Sequence, residues 1–203
     1  MFGVLFVLKR MNGYEIERGL KDVLGDNIIF LGCYWMEDAS SILRSAVTKS
    51  RPCVIILNTI KKNAKEGLMG HWISIYINYG NLTLGYFDSY NLEPELYSRG
   101  MSKFLRDKPW SLYKLSYRIQ GISSLVCGVY TMYYVYLLSR HSLKKSFAHI
   151  HKKFKKHQYK NNDKLILRIA YKIFHMPVCE KTFCLRASIN ECRPNYCDHL
   201  GRS

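Results

Sequence analysis

Four positions in this 203-residue chain carry side chains whose types and order could cut an amide bond. His71 precedes Trp72, Asp88 follows 17 residues later, and Cys127-Gly128 comes seven residues after Gln120. A thiol at the N-terminus of a helix meets the positive end of the dipole and free backbone N–H groups, and both favour the thiolate nucleophile. An imidazole within reach would take the thiol proton and later give it to the leaving amine. A carboxylate behind that imidazole would fix its tautomer and stabilise the imidazolium. The Gln120 amide and the Cys127 backbone N–H could together bind the oxyanion of a tetrahedral intermediate. Taken singly, each has an ordinary explanation: a core cysteine, a structural histidine, a turn-capping aspartate. Only the set points to chemistry.

The elements that must position them follow from local patterns. Ile16 to Leu24 predicts an amphipathic helix ended by Gly25, and the β-branched run Cys53 to Thr59 predicts a buried strand. Trp72 to Asn78 and Leu82 to Asp88 flank Asn78-Tyr79-Gly80-Asn81 and read as a hairpin, whose ends would set His71 and Asp88 side by side. Leu112 to Arg118 is a further short strand, followed by a loop at Gly121 to Ser124 and an apolar helix from Cys127 to near Arg140. The layout is α+β, with strands in the middle third and helices on either side.

Charge is concentrated downstream. The chain holds 31 Lys or Arg against 15 Asp or Glu, a net +16. Between Arg140 and His175 there are 11 Lys or Arg and one acid, Asp163, a net +10 in 36 residues. Apolar residues recur there at Leu143, Phe147, Ile150, Phe154, Leu165, Ile169 and Ile173, so the stretch predicts two helices with buried stripes, broken near Asn161-Asn162. A folded basic face of this density implies a polyanionic partner bound through phosphates, with Lys144, Lys145, Lys152, Lys153, Lys155, Lys156 and Lys160 as its candidate DNA contacts.

Composition excludes other classes. At 48% hydrophobic and 14% aromatic the chain is globular rather than disordered. Its longest uncharged apolar run, Gly121 to Ser139, contains Gly, Ser, Thr and Tyr and does not read as a membrane span. The first ten residues are too short an apolar run for a signal and lack a cleavage site; they are an extension or weak strand, and Met11 could itself be the start. An odd count of seven cysteines without a signal predicts reduced thiols in an intracellular setting. Four of them, Cys179, Cys184, Cys192 and Cys197, lie too far apart for a usual structural zinc site, so no metal is expected.

The chemistry-bearing motifs resemble a family. Gly70-His71-Trp72, Tyr86-Phe87-Asp88 and Gln120-Gly121-Ile122-Ser123-Ser124-Leu125-Val126-Cys127-Gly128 are similar to the His-Trp, aromatic–acid and Gln-Gly-x-x-Ser-x-x-Cys-Gly motifs of the adenovirus-type cysteine endopeptidases, the adenain family. The motif's Ser is Ser123 or Ser124 according to how the loop is read. Weaker similarity covers Leu20 to Val23, Phe30 to Tyr34 and Val54 to Thr59, so the resemblance spans about Met11 to Arg140. It implies a papain-like core with permuted element order, a central mixed sheet flanked by helices. It also implies Cys127 as nucleophile, His71 as base and acid, Asp88 as orienting acid and Gln120 as oxyanion donor. A single protease domain over 11–203 is expected, acting as a monomer on virion precursor proteins at Gly-Gly or Gly-x-Gly bonds, in the virion and host nucleus, with DNA as cofactor. The family's disulfide-linked peptide cofactor needs a Cys upstream of the Gln, and Met101 to Ile119 has none, so a covalent peptide is not expected. Two other readings share parts of this pattern. Proteases that remove ubiquitin-like modifiers use the same residue order and Gly-Gly specificity, and a non-catalytic nucleic-acid-binding protein would merely bury Cys127.

Overall fold

In the computed structural model, which describes residues 11–60, 62–63, 70–107 and 109–176, one mixed sheet lies between two helical layers. Its strands are β1 (Ile29–Trp35), β2 (Cys53–Asn58), β3 (Trp72–Asn78), β4 (Thr83–Phe87) and β5 (Ser111–Lys114), ordered β1-β2-β3-β4-β5. The outer pairs are parallel and the inner pairs antiparallel. The helices are α1 (Gly13–Lys21), α2 (Ala39–Ala46), α3 (Arg99–Arg106), α4 (Cys127–Leu138), α5 (Leu143–Lys153) and α6 (Tyr159–Phe174). The expected α+β architecture, a mixed sheet flanked by helices, is present.

The central strands are covered on both faces, which is why β2 reads as an unbroken apolar run. On β3 the period of two sends Ile73, Ile75 and Ile77 toward α2 and α3, and Trp72 and Tyr76 toward α4. Helix α4 is apolar all round, as a fully enclosed helix must be. All of its twelve residues except Tyr136 are buried. Tyr134 stacks on Phe87 of β4 at 4.6 Å, and the Thr131 hydroxyl donates to the Trp72 carbonyl at 3.1 Å. The sheet is thereby fixed to the helix that starts at Cys127.

Three boundaries differ from expectation. The first helix spans Gly13–Lys21 rather than 16–24, because Asn12 caps it earlier in a reciprocal capping box with Glu15. The strand expected to reach Arg118 stops at Lys114, since the following residues turn toward α5. There the Tyr117 hydroxyl reaches the carbonyls of His151 and Phe154, at 3.2 and 3.0 Å. The break between the basic helices falls at residues 154–158, not at Asn161-Asn162. Asn162 lies inside the first turn of α6, its carboxamide accepting from Lys155 N and donating to Lys155 O. The N-terminal extension and the cysteine-rich tail after Val178 lie outside the described residues.

Candidate active site

The hairpin delivers the first pair. Thr59 exchanges hydrogen bonds with His71, its N–H donating to the His71 carbonyl and its hydroxyl accepting from His71 N–H, each at 2.9 Å. This carries the β2–β3 pairing to the histidine. Across the hairpin, His71 Nε2 lies 2.6 Å from Asp88 Oδ1, with the carboxylate side chain fully buried. Asp88 also accepts from the backbone N–H of Tyr90 at 2.8 Å, the N–H of Leu92 at 3.0 Å and the Tyr97 hydroxyl at 3.0 Å. Turn capping and imidazole orientation are thus performed by one carboxylate. The imidazole is stacked on Tyr90 at 4.4 Å and on Tyr97 at 6.1 Å, so its plane is set as well as its tautomer.

With Nε2 committed to Asp88, Nδ1 is the remaining proton carrier. It is buried with no hydrogen bond of ordinary geometry, and the Cys127 thiol is the group that interacts with the ring from that side. Burial pulls the His71 pKa down, but the hydrogen bonds and charges of Asp88 and Cys127 outweigh it and push it up to about 9. The direction of this shift favours the charged ring, whose partner in the fold is the Asp88 carboxylate.

Cys127 is the first residue of α4, whose N-terminus has no side-chain cap, so its leading N–H groups are available to an incoming oxygen. Gly128 sits in a tight approach. A Cβ there would sit 3.3 Å from both Met11 Sδ and Trp72 Cδ1. The Trp72 indole donates to Met11 O at 2.9 Å, and a cavity of about 200 Å³ opens beside it, bordered by Gly13, Cys33, Trp35 and Asn58. Burial, reinforced by Glu17, pushes Cys33 well up, and burial pushes Cys53 up to about 11.

Gln120 is fully buried. Its Oε1 accepts from the Ser89 hydroxyl at 2.5 Å, while Nε2 donates to Ser124 O at 2.7 Å and, more weakly, to the Tyr90 hydroxyl at 3.2 Å. Tyr90 therefore connects the amide to the face of His71. Both amide hydrogens are engaged within the protein, the bond to Tyr90 being the longer. Ser89, Tyr90 and Tyr97 were not foreseen. Ser89 and Tyr90 directly follow Asp88, which is a usable signal; Tyr97 arrives from a separate 3-10 turn at Pro94–Leu96 and has none.

The candidate DNA contacts lie apart from this centre, on α5, α6 and the turn between them. Lys144, Lys145, Lys152, Lys155, Lys156 and Lys160 are exposed and Lys153 is half-buried. Among the described residues none of the seven forms an ion pair with a carboxylate. No group of three His, Cys, Asp or Glu among the described residues is placed to hold a metal ion, and no helix there is long and apolar enough to cross a membrane.

No protein-family model matches the chain, and no curated protein does. Solved structures do. The central domain of the uncharacterized Lpg1148 protein from Legionella pneumophila aligns at a TM-score of 0.50 and 13% identity, over 82% of this chain and 97% of that one. ChlaDub1 from Chlamydia trachomatis aligns at 0.49 and 12% identity, over 86% and 94%. The ULP1 protease domain solved with the yeast ortholog of SUMO aligns at 0.43 and 15% identity, over 80% and 79%. At 13% identity the likeness to the Legionella domain is one of fold.

Proposed function

We propose that the chain is a cysteine endopeptidase of the adenain type, cleaving virion precursor proteins during particle maturation and held on DNA by its basic helices. The observation that carries this reading is the imidazole of His71, fixed by Asp88 through Nε2 and facing Cys127 at a helix N-terminus with its other nitrogen. A structural cysteine requires none of that arrangement.

The steps follow from the geometry. The Cys127 thiolate attacks the scissile carbonyl carbon, and the oxyanion is met by the Cys127 N–H and by the Gln120 amide hydrogen that leaves Tyr90. His71 passes its Nδ1 proton to the departing amine, giving a thioester, and then takes a proton from the water that hydrolyses it. Asp88 stabilises the imidazolium throughout.

The purified chain is to be tested on peptides with Gly-Gly and Gly-x-Gly bonds, with and without duplex DNA, beside ubiquitin-like fusions. Cleavage that disappears in Cys127→Ala and His71→Ala and rises with DNA is the expected outcome. Efficient cleavage of ubiquitin-like fusions alone, indifferent to DNA, would transfer the assignment to a modifier-removing protease.

A further inference from the structure

The single acid of the basic stretch does not face its lysines. Asp163 is buried in α6, with Asn162 beside it, and both point at the segment that carries Gln120. Asn162 Nδ2 donates to Ile119 O at 2.9 Å, and Asp163 Oδ2 accepts from Gly121 N–H at 3.2 Å. The backbone is therefore held on both flanks of Gln120 by consecutive side chains of one helix. Tyr130, on α4 one turn beyond Cys127, donates its hydroxyl to Asp163 Oδ1 at 3.0 Å. The preceding residues are tied to the same helical pair: Ser116 N–H reaches His151 Nε2 at 3.4 Å, and the Arg118 guanidinium lies 4.1 Å over the Tyr159 ring.

Gly121 fits this arrangement for a steric reason. A Cβ there would lie 2.9 Å from Asp163 Oδ2, and that carboxylate cannot swing away without releasing Tyr130. The cluster joins three parts that the proposed reaction needs in register: the nucleophile helix, the oxyanion segment and the basic helices.

We propose that Asn162 and Asp163 are positioning residues for the oxyanion site, fixing Gln120 by gripping the main chain on either side of it. The proposal rests on the protease reading and assigns the basic helices a second task beyond holding DNA. Anything that shifts α6 shifts the Gln120 amide. An error of this kind reduces turnover rather than substrate binding, because the oxyanion exists only past the ground state.

The test combines amide hydrogen exchange with kinetics on the full chain. In the unmutated protein, Gly121 N–H is expected to exchange as slowly as the core amides of α4. Asp163→Ala and Gly121→Ala should speed that exchange and lower kcat by about 10- to 100-fold with KM little changed, the scale of a displaced oxyanion donor. Alkylation of Cys127 by iodoacetamide, which needs no oxyanion site, should stay within about twofold. Asp163→Asn, whose carboxamide oxygen can still accept from Gly121, should recover most of the loss. Fast exchange at Gly121 in the unmutated protein overturns the clamp without any variant having to fold. So does Asp163→Ala with unchanged kcat. If the unmutated protein cleaves nothing while Gly121 is protected, the protease reading falls and takes the catalytic role of the clamp with it; cleavage with Gly121 unprotected removes the clamp alone.

Discussion

Asp88 collects four hydrogen bonds, one from the imidazole and three from its own turn and Tyr97. Its replacements should therefore separate two roles. Asp88→Ala strands buried donors at about 1–3 kcal/mol each and should lower the thermal midpoint as well as activity. Asp88→Asn keeps an acceptor but removes the charge, so activity should fall less than in His71→Ala. The pH behaviour has a definite sign. The His71 pKa is raised from 6.5 to about 9, so the pair's stabilisation is complete below 6.5 and is lost as pH rises through about 9. The alkaline limb of the cleavage profile should sit near that value and move to lower pH in Asp88→Asn; an unmoved limb would detach it from His71. The four candidate positions stand out in the sequence because their residue types and order are chemically unusual as a set. The contact of Asp163 with Tyr130 does not, because it spans 33 residues of sequence, a relation no local pattern records.

At the scale of elements, legibility followed burial. The β-branched run of β2, the alternation of β3 and the wholly apolar α4 were plain, since sheet and core dictate nearly every residue in them. Helices α2 and α3, eight residues each, and edge strand β1, with no residue of its run fully buried, gave too short or too weak a period to read. Asn161-Asn162 suggested a helix break because asparagine competes with the backbone for hydrogen bonds. In the fold, Asn162 spends that capacity on Lys155 and Ile119 instead, and the helix continues. The basic pair of helices yields its own prediction. Neutralising Lys152, Lys153, Lys155 and Lys156 should lower the slope of log affinity for DNA against log salt by roughly 3 to 4 units, if all four meet phosphates. Titration over a range of salt reads this directly, and an unchanged slope would leave those lysines as a solvated surface.

Across the whole molecule, the candidate site lies where the sheet meets one helical layer: strand ends supply His71 and Asp88, α4 supplies Cys127, and α6 grips the segment bearing Gln120. Of the net +16, +10 lies between Arg140 and His175, the stretch that includes α6, so a bound polyanion would press on the same helix that holds the Gln120 segment. None of this requires a disulfide-linked peptide, and activity should persist in excess reductant with DNA present; abolition by reductant would restore a covalent cofactor. The central claim is that Cys127 is an activated nucleophile paired with His71. It is tested most directly by limited alkylation of the native chain at neutral pH, followed by mass mapping of all seven thiols. Expected is preferential labelling of Cys127, strengthened by DNA and lost in His71→Ala. Labelling spread evenly over the thiols, with Cys127 no faster than a denatured cysteine, would contradict it.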